Sequence, residues 1–139
     1  MTKDELFHFM AKHHLAVLAS VSPSQDPQAA LMGIAVTPEL EIVFDTLKTS
    51  RKYQNLIGNK RIAFVIGWEN EVTVQYEGQA EELQGAALPF YKEIYFRKWP
   101  DGPEREKWPN ICYFRVTPTW IRYSDFNKPT YGMVEFAFP

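Results

Sequence analysis

The stretch that decides the fold runs from Ile42 to Trp68 and reads IVFDTLKTSRKYQNLIGNKRIAFVIGW. It opens on a short β-branched and aromatic run, Ile42–Phe44, and closes on a second apolar run, Arg61–Trp68. Both runs are typical of buried strands. Because polar residues separate them, we expect a strand, a turn, a compact helix and a second strand in this order.

The helix between these strands is predicted to begin after Ser50, because a serine hydroxyl accepts hydrogen bonds from free N–H groups of the first helical turn. Leu56 and Ile57 give the helix an inward face. Gly58 and Asn59 then predict a left-handed stop, since both residue types tolerate a positive φ.

Positive charge is concentrated at the predicted start of this helix, where Lys48, Arg51 and Lys52 lie close together. The helix macrodipole disfavours each cation there by about 0.3–1 kcal/mol. Cations, hydroxyls and free backbone N–H groups together favour a phosphate. A solvated basic turn explains this stretch, taken alone, equally well.

Composition and charge limit the class of protein. The 139 residues suit a single domain, 1–139, with one core. The net charge of −2 argues against nucleic-acid binding, which needs a basic excess. A single cysteine, Cys112, fits a reducing compartment, and no cluster of residues has metal-ligand spacing. Without an apolar run of membrane-spanning length or a signal-peptide pattern, we expect a cytoplasmic protein with no membrane association.

The remaining chain alternates strand and helix patterns. The predicted strands are Leu15–Ser22, Gln28–Val36, Ile42–Phe44, Arg61–Trp68, Val72–Leu83 and Ile111–Ser124, and the predicted helices are one capped by Thr2 and ending near His13, the one after Ser50, and Gly85–Trp99. The tail from Asp125 has no clear period, but Tyr131, Val134, Phe136 and Phe138 make it apolar enough to pack on a neighbouring element.

Four positions within the strands carry further information. Gly33 predicts a bulge or the close approach of another backbone or a flat ligand. Thr73 and Gln75 fall on one face of their strand, where they either bind a heteroaromatic ring or face water. Pro118 lacks a ladder donor and predicts an edge or a bulge.

Six short strands joined mostly by hairpin-like turns, with helices at the margins, predict a mainly β protein built as a small antiparallel barrel. Such a barrel encloses little beyond its own side chains, so a ligand is expected on the outside. Ten Phe, seven Tyr and four Trp need more cover than one such barrel provides. We therefore predict a homodimer with its sites at the subunit junction.

At this point the motifs resemble a known family. Phe44-Asp45-Thr46, followed by Ser50-Arg51-Lys52 and by Asn59, Arg61 and Trp68, is similar to the FMN-binding core of the pyridoxamine 5'-phosphate oxidase-like family, the flavin split barrels. The resemblance covers nearly the whole chain, as far as the strand Trp120–Tyr123. It implies an antiparallel six-stranded split barrel, dimeric, with FMN as its cofactor.

The resemblance also implies a set of cofactor-binding residues. Arg51 and Lys52 would pair with the FMN phosphate, and Thr46 and Ser50 would donate to it or to ribityl oxygens. The remaining implied contacts are the strand backbone at Ala30, Leu31, Met32 and Gly33 along the isoalloxazine edge, Asp45 inside the motif, Thr73 and Gln75 on the facing strand, and Trp120 and Arg122 late in the chain.

The chain departs from the family where a phosphorylated substrate would bind. Ala30 and Ala35 stand where vitamin B6 oxidases carry Arg and Lys, and the arginine-and-histidine substrate motif is not visible after Trp120. Vitamin B6 oxidation is therefore not expected, whereas FMN binding is.

The expected function is an FMN-dependent oxidoreductase acting on a small molecule. The alternatives are a non-catalytic flavin-binding redox or stress-response protein, or the same fold binding a deazaflavin or haem. Haem is the least favoured, because all three histidines precede Leu15. Asp45, Tyr76 and Glu77 are the candidate proton donors, and each has a structural role as the more common alternative.

Overall fold

The computed structural model describes residues 1–129 and 132–139. The chain folds as a mainly antiparallel β protein. Its strands are β1 (Leu15–Val21), β2 (Pro27–Gly33), β3 (Ala35–Val36), β4 (Ile42–Leu47), β5 (Arg61–Ile66), β6 (Val72–Glu82), β7 (Ile111–Asp125) and β8 (Met133–Ala137), and its helices are α1 (Lys3–Ala11), α2 (Arg51–Gly58), α3 (Ala87–Lys98) and α4 (Gly102–Arg105).

All strands belong to one curled sheet with the order β2-β1-β5-β6-β7-β4-β3, and β8 pairs with β7. The described strands number eight, two more than predicted. One extra strand arises because the predicted strand Gln28–Val36 is interrupted at Ile34. There the chain changes partner: β2 pairs with β1, whereas β3 pairs with β4 at the opposite end of the sheet. This change of partner curls the sheet into the predicted split barrel.

The other extra strand is β8, in the tail for which no secondary structure was predicted. It pairs antiparallel with the end of β7, with Tyr123 opposite Val134 and Ile121 opposite Phe136. The tail therefore packs on a neighbouring element, as predicted, while Tyr131 lies outside the described residues. Within the described part of the chain, no helix is long and apolar enough to cross a membrane.

The sequence predicts the N-terminal ends of helices α1 and α2 better than their C-terminal ends. Thr2 and Glu5 form the predicted capping box on α1, although this helix ends at Ala11 rather than near His13. Ser50 caps α2 as predicted. The predicted left-handed stop is wrong, because Asn59 is extended, with φ of −149°.

The inward face of α2 also differs from the prediction. Ile57 is 58% exposed, and the buried residues of α2 are Asn55 and Leu56. The prediction for Leu56 is therefore confirmed, and the amide of Asn55 joins it on the inward face in place of Ile57. Its two hydrogen bonds, described below, offset the cost of burying it.

The barrel interior is aromatic. Phe44 stacks on Phe114 at a centroid distance of 5.4 Å, and both pack near Phe64 and Tyr76. Each such side chain contributes about 1.5–3 kcal/mol by leaving water. A second cluster lies under α3, on the other face of β4. Successive residues of β4 therefore point alternately into the barrel and toward α3.

Two of the four strand positions singled out from the sequence, Pro118 and Gly33, have clear structural causes. At Pro118 the predicted bulge is present: Trp120 pairs with Glu77 and Pro118 with Gly78, which leaves Thr119 unpaired. At Gly33 the close approach comes from an indole of the same chain, because an added Cβ would lie 2.8 Å from Cζ2 of Trp99. Trp99 Nε1 also donates to the Ile34 carbonyl at 3.0 Å, which holds the indole there.

Candidate functional site

The end of β4 and the start of α2 bring two hydroxyls and two cations together. The hydroxyl oxygens of Thr46 and Ser50 lie 3.1 Å apart, and Ser50 Oγ also accepts from the Tyr53 N–H at 3.3 Å. Arg51 is exposed and Lys52 is half-buried, and neither forms an ion pair within residues 1–129 and 132–139. Two unpaired cations at the positive end of a helix dipole indicate an anion site.

The third cation of this stretch has a partner inside the chain. Lys48 Nζ lies 3.7 Å from Glu82 Oε2, and the Tyr53 hydroxyl donates to Glu82 Oε1 at 2.7 Å. This hydrogen bond is the main reason that the pKa of Tyr53 is raised to about 12. Lys48 therefore ties the turn before α2 to the end of β6, and Arg51 and Lys52 are the cations left for a ligand.

A small cleft of about 110 Å³ opens beside these two cations. Its lining joins α2 to the strands β1 and β2, and consists of Ser20, Gln28, Ala29, Ala30, Arg51, Lys52 and Asn55. The structure thus brings the predicted Ala30 together with the predicted Arg51 and Lys52. Ser20, Gln28 and Asn55 were not predicted.

A sequence signal for Asn55 was available. It lies four residues after Arg51 and three after Lys52, a spacing that places all three on one side of a helix.

The rest of the predicted segment Ala30–Gly33 alternates between the two faces of β2. Met32 is buried in the core at 6% exposure, while Leu31 is 60% exposed on the outer face. In the described part of the chain β2 pairs only with β1, so one edge of its backbone is free. A free strand edge is suited to the predicted contact between this backbone and a flat ring.

A second group of predicted residues lies on the outer face of the sheet. Cross-strand pairing aligns Leu31, Val17, Val65, Gln75, Arg122 and Glu135 in one row. Residues directly opposite each other share a face of the sheet, so this row crosses five strand junctions on the outside. Beside it, Gln75 and Trp120 line a depression of about 140 Å³ whose floor includes Val17, Ala19 and Ala63.

The late-chain residues Trp120 and Arg122 are both bound to a carboxylate of β8. Arg122 donates to Glu135 Oε1 from Nε at 3.0 Å, and Trp120 Nε1 donates to Glu135 Oε2 at 3.3 Å. These bonds, with Arg122 contributing most, hold the pKa of the Glu135 carboxyl below its usual value. Arg122 therefore has an internal partner in addition to any ligand that it contacts.

Thr73 lies on the same face as Gln75, two residues earlier in β6, as predicted. Its hydroxyl is buried and has no hydrogen-bond partner within the described residues. An unsatisfied buried hydroxyl costs about 1–3 kcal/mol. Such an atom indicates a partner supplied by a ligand or by another chain.

Asp45 is not brought together with Thr46 and Ser50. Adjacent residues of a strand point to opposite faces, and Asp45 points toward α3. Its carboxylate accepts from Arg105 Nε at 3.0 Å and from the Tyr95 hydroxyl at 3.1 Å. Burial opposes the charge of Arg105, but the hydrogen bond and charge of Asp45 outweigh it and raise the arginine pKa. Asp45 thus anchors the helices that cover this face.

The two other candidate proton donors also have structural surroundings. The Tyr76 hydroxyl donates to the carbonyls of Leu40 at 2.9 Å and Val116 at 3.2 Å, deep in the barrel. Burial raises its pKa strongly. Glu77 is exposed on the outer face, beside the depression that Gln75 and Trp120 line.

Comparison with known families agrees with this geometry. Residues 2–125 match the family model described as pyridoxamine 5'-phosphate oxidase. The chain belongs to this family. Since the match runs from the cap of α1 to the end of β7, it includes both groups of site residues. No curated protein sequence matches the chain.

Solved structures share this fold at low sequence identity. A haem-binding protein from Mycobacterium smegmatis superposes with a TM-score of 0.82 at 16% identity over 99% of this chain and 58% of its own. A putative pyridoxamine 5'-phosphate oxidase from Listeria innocua gives 0.71 at 20% identity over 87% and 96%. A pyridoxamine 5'-phosphate oxidase-related, FMN binding protein from Nostoc punctiforme gives 0.67 at 11% identity over 91% and 87%.

These likenesses establish the fold and leave the ligand open, since the neighbours include both an FMN binding protein and a haem-binding protein. The chain spans 58% of the length of the M. smegmatis protein and 96% of the length of the L. innocua protein.

Proposed function

We propose that the chain is an FMN-binding flavoprotein that acts as an FMN-dependent oxidoreductase on a small molecule. The observation that carries this proposal is the pair of unpaired cations, Arg51 and Lys52, beside the Thr46 and Ser50 hydroxyls at the start of α2. Family membership adds support, because an FMN binding protein shares the fold. A helix N-terminus with two cations and two hydroxyls is suited to a phosphate monoester.

The chain's own residues fit the two ends of such a cofactor differently. Arg51 and Lys52 would hold the phosphate, and the hydroxyls of Thr46 and Ser50 would donate to it or to the ribityl chain. The orphan hydroxyl of Thr73, with Gln75 beside it, would contact the polar edge of the ring. Bound FMN would supply the hydride or electron chemistry, while these residues bind and orient it.

The proposed substrate is not a vitamin B6 phosphate. Ala30 borders the anion cleft without any charge, and Ala35 is 2% exposed within the cluster under α3. A second phosphate would lack the charged hydrogen bonds, each of about 1.5–3 kcal/mol, that it needs.

We also propose a homodimer in which the outer-face row is covered by a second copy. Leu31 is 60% exposed, and Leu15 and Val65 are each 40% exposed, so one sheet face presents three large aliphatic side chains to water. A second copy would bury them and complete the ring site next to Gln75 and Thr73. Sedimentation velocity at micromolar concentration should give a dimer, and Leu31→Glu should give a monomer; a wild-type monomer would refute this proposal.

Haem is a second candidate, favoured by the fold likeness to the M. smegmatis haem-binding protein. The histidines of this chain give it little support. His13 Nδ1 bonds the Phe9 carbonyl at 2.9 Å and its Nε2 faces Gly67, while the His14 ring packs edge-on against Trp99.

Cytoplasmic localisation remains a prediction.

The visible absorption spectrum of the purified protein, followed by titration of the apoprotein, tests the proposal. A flavin spectrum and one FMN bound per chain are expected. A Soret band with haem and no response to FMN would support the second candidate instead. With FMN bound, NAD(P)H oxidation would separate an oxidoreductase from a non-catalytic flavin-binding protein.

A further inference from the structure

The wall of the anion cleft contains a buried amide that fixes another amide. Asn55 is 2% exposed, and its Nδ2 donates to Ser20 Oγ at 3.0 Å and to Gln28 Oε1 at 2.8 Å. An asparagine amide has two hydrogens, so both donors of Asn55 are used. This contact joins α2 to β1 and to the edge strand β2.

The contact sets the orientation of Gln28. Because Oε1 accepts from Asn55, the two N–H donors of the Gln28 amide lie on the other side of the amide group. No partner for them is found in residues 1–129 and 132–139. Gln28 is half-buried and lines the same cleft as Arg51 and Lys52. The cleft therefore contains a neutral donor group that is held in place and is not used by the fold.

The size of the cleft limits which chemical groups can reach the N–H donors of Gln28. Its volume of about 110 Å³ corresponds to roughly four water molecules at about 30 Å³ each. A phosphate group fits this space, whereas a three-ring flavin does not. The methyl side chain of Ala30 leaves the space open.

We propose that Gln28 is a third phosphate-binding residue, which Asn55 orients so that its amide N–H groups donate to the same phosphate as Arg51 and Lys52. This inference rests on the proposed function. It adds that the cleft suits a terminal phosphate group, because its volume is small and the N–H donors of Gln28, Arg51 and Lys52 line it.

The test compares FMN with riboflavin, which lacks the phosphate, by fluorescence titration of the apoprotein. Gln28→Glu is the sharpest variant: it keeps an oxygen that accepts from Asn55 but replaces the donors with a carboxylate. Gln28→Ala removes both the contact with Asn55 and the proposed contact with the phosphate. Gln54→Ala is the matched control, because Gln54 is an exposed glutamine of α2 that does not line the cleft.

For Gln28→Glu we expect FMN affinity to fall by at least about tenfold, since a hydrogen bond to a charged group is lost and a carboxylate is placed beside the phosphate. Gln28→Ala, which adds no charge, should also lower FMN affinity by about tenfold. Riboflavin affinity should stay within about twofold of wild type, and Gln54→Ala should change neither. Equal losses for FMN and riboflavin, or FMN affinity within about twofold of the control, would overturn the role of Gln28.

A wild-type protein that binds no FMN would refute the proposed function instead. In that case the Gln28 side-chain amide is followed by NMR during titration with inorganic phosphate, with Gln28→Ala providing the assignment. A shift of the Gln28 amide that the Gln54 amide does not share would retain Gln28 as an anion donor. No shift would overturn the inference as well.

Discussion

The double variant Arg51→Ala/Lys52→Ala tests the anion site, because binding and stability should change in opposite directions. Each cation is expected to make a charge-assisted hydrogen bond to phosphate of about 1.5–3 kcal/mol. Together they give about 3–6 kcal/mol, a loss in FMN affinity of about 10²–10⁴-fold. Riboflavin affinity should change far less.

The same substitutions should not destabilise the apoprotein. Neither cation has an ion-pair partner among the described residues, and both oppose the dipole of α2. Removing both should therefore raise the free energy of unfolding by about 0.6–2 kcal/mol. Side chains that lower the stability of the apoprotein are expected at positions where they bind a ligand.

The assay is fluorescence titration of apoprotein with FMN and riboflavin, together with urea unfolding of the apo form. Lys60→Ala is the control, since Lys60 is an exposed cation near the other end of α2. FMN affinity within about threefold of that control would refute the site. A loss of stability in the double variant would show that these cations stabilise the fold, and the electrostatic reasoning would then be wrong.

Three further predictions concern single positions. Asp45→Ala should lower the free energy of unfolding by about 2–4 kcal/mol in urea, because among the described residues it leaves the largely buried Arg105 with only the exposed Asp101 as a partner and removes the acceptor of the Tyr95 hydroxyl, and FMN affinity should stay unchanged. Burial raises the pKa of the Cys112 thiol from 9.0 to about 11. Alkylation of this thiol in the native protein should therefore be slow at pH 8 and accelerate toward pH 11, and the native state should lose stability as the pH rises above 9. Rapid alkylation of the native protein at pH 8 would contradict this prediction. Thr73→Val should leave apo stability unchanged or raise it by about 1 kcal/mol while weakening flavin binding, and a destabilised apoprotein with normal flavin affinity would argue against Thr73 as a ligand contact.

The features that could be predicted are those set by neighbouring residues. Thr2 and Ser50 cap their helices because each accepts an N–H three residues later. Pro118 causes a bulge because it has no N–H. Strand alternation also places Asp45 and Thr46 on opposite faces, so the separation of Asp45 from the site followed from the sequence as well.

What could not be predicted depends on partners far along the chain. Asn55 is buried because its amide meets Ser20 and Gln28, which are 35 and 27 positions away. The polarity of Asn55 gives no indication of burial, whereas Leu56 and Ile57 are apolar and were predicted to form the inward face. Position 33 likewise requires a glycine because the side chain of Trp99, at the end of α3, packs against β2 and leaves no space for a Cβ there.

The predicted cofactor contacts divide between two faces of the same sheet. Arg51, Lys52 and Ala30 belong to the cleft beside α2, whereas Gln75 and Thr73 belong to the outer face that carries exposed Leu31. A ligand that used only the cleft would leave the outer-face polar groups without a role. If the ring lies between the two copies and contacts both, ring binding and dimerisation strengthen each other by the same factor, because such coupling is reciprocal. Phosphate binding would then be a property of the single chain, and recognition of the flavin ring a property of the pair.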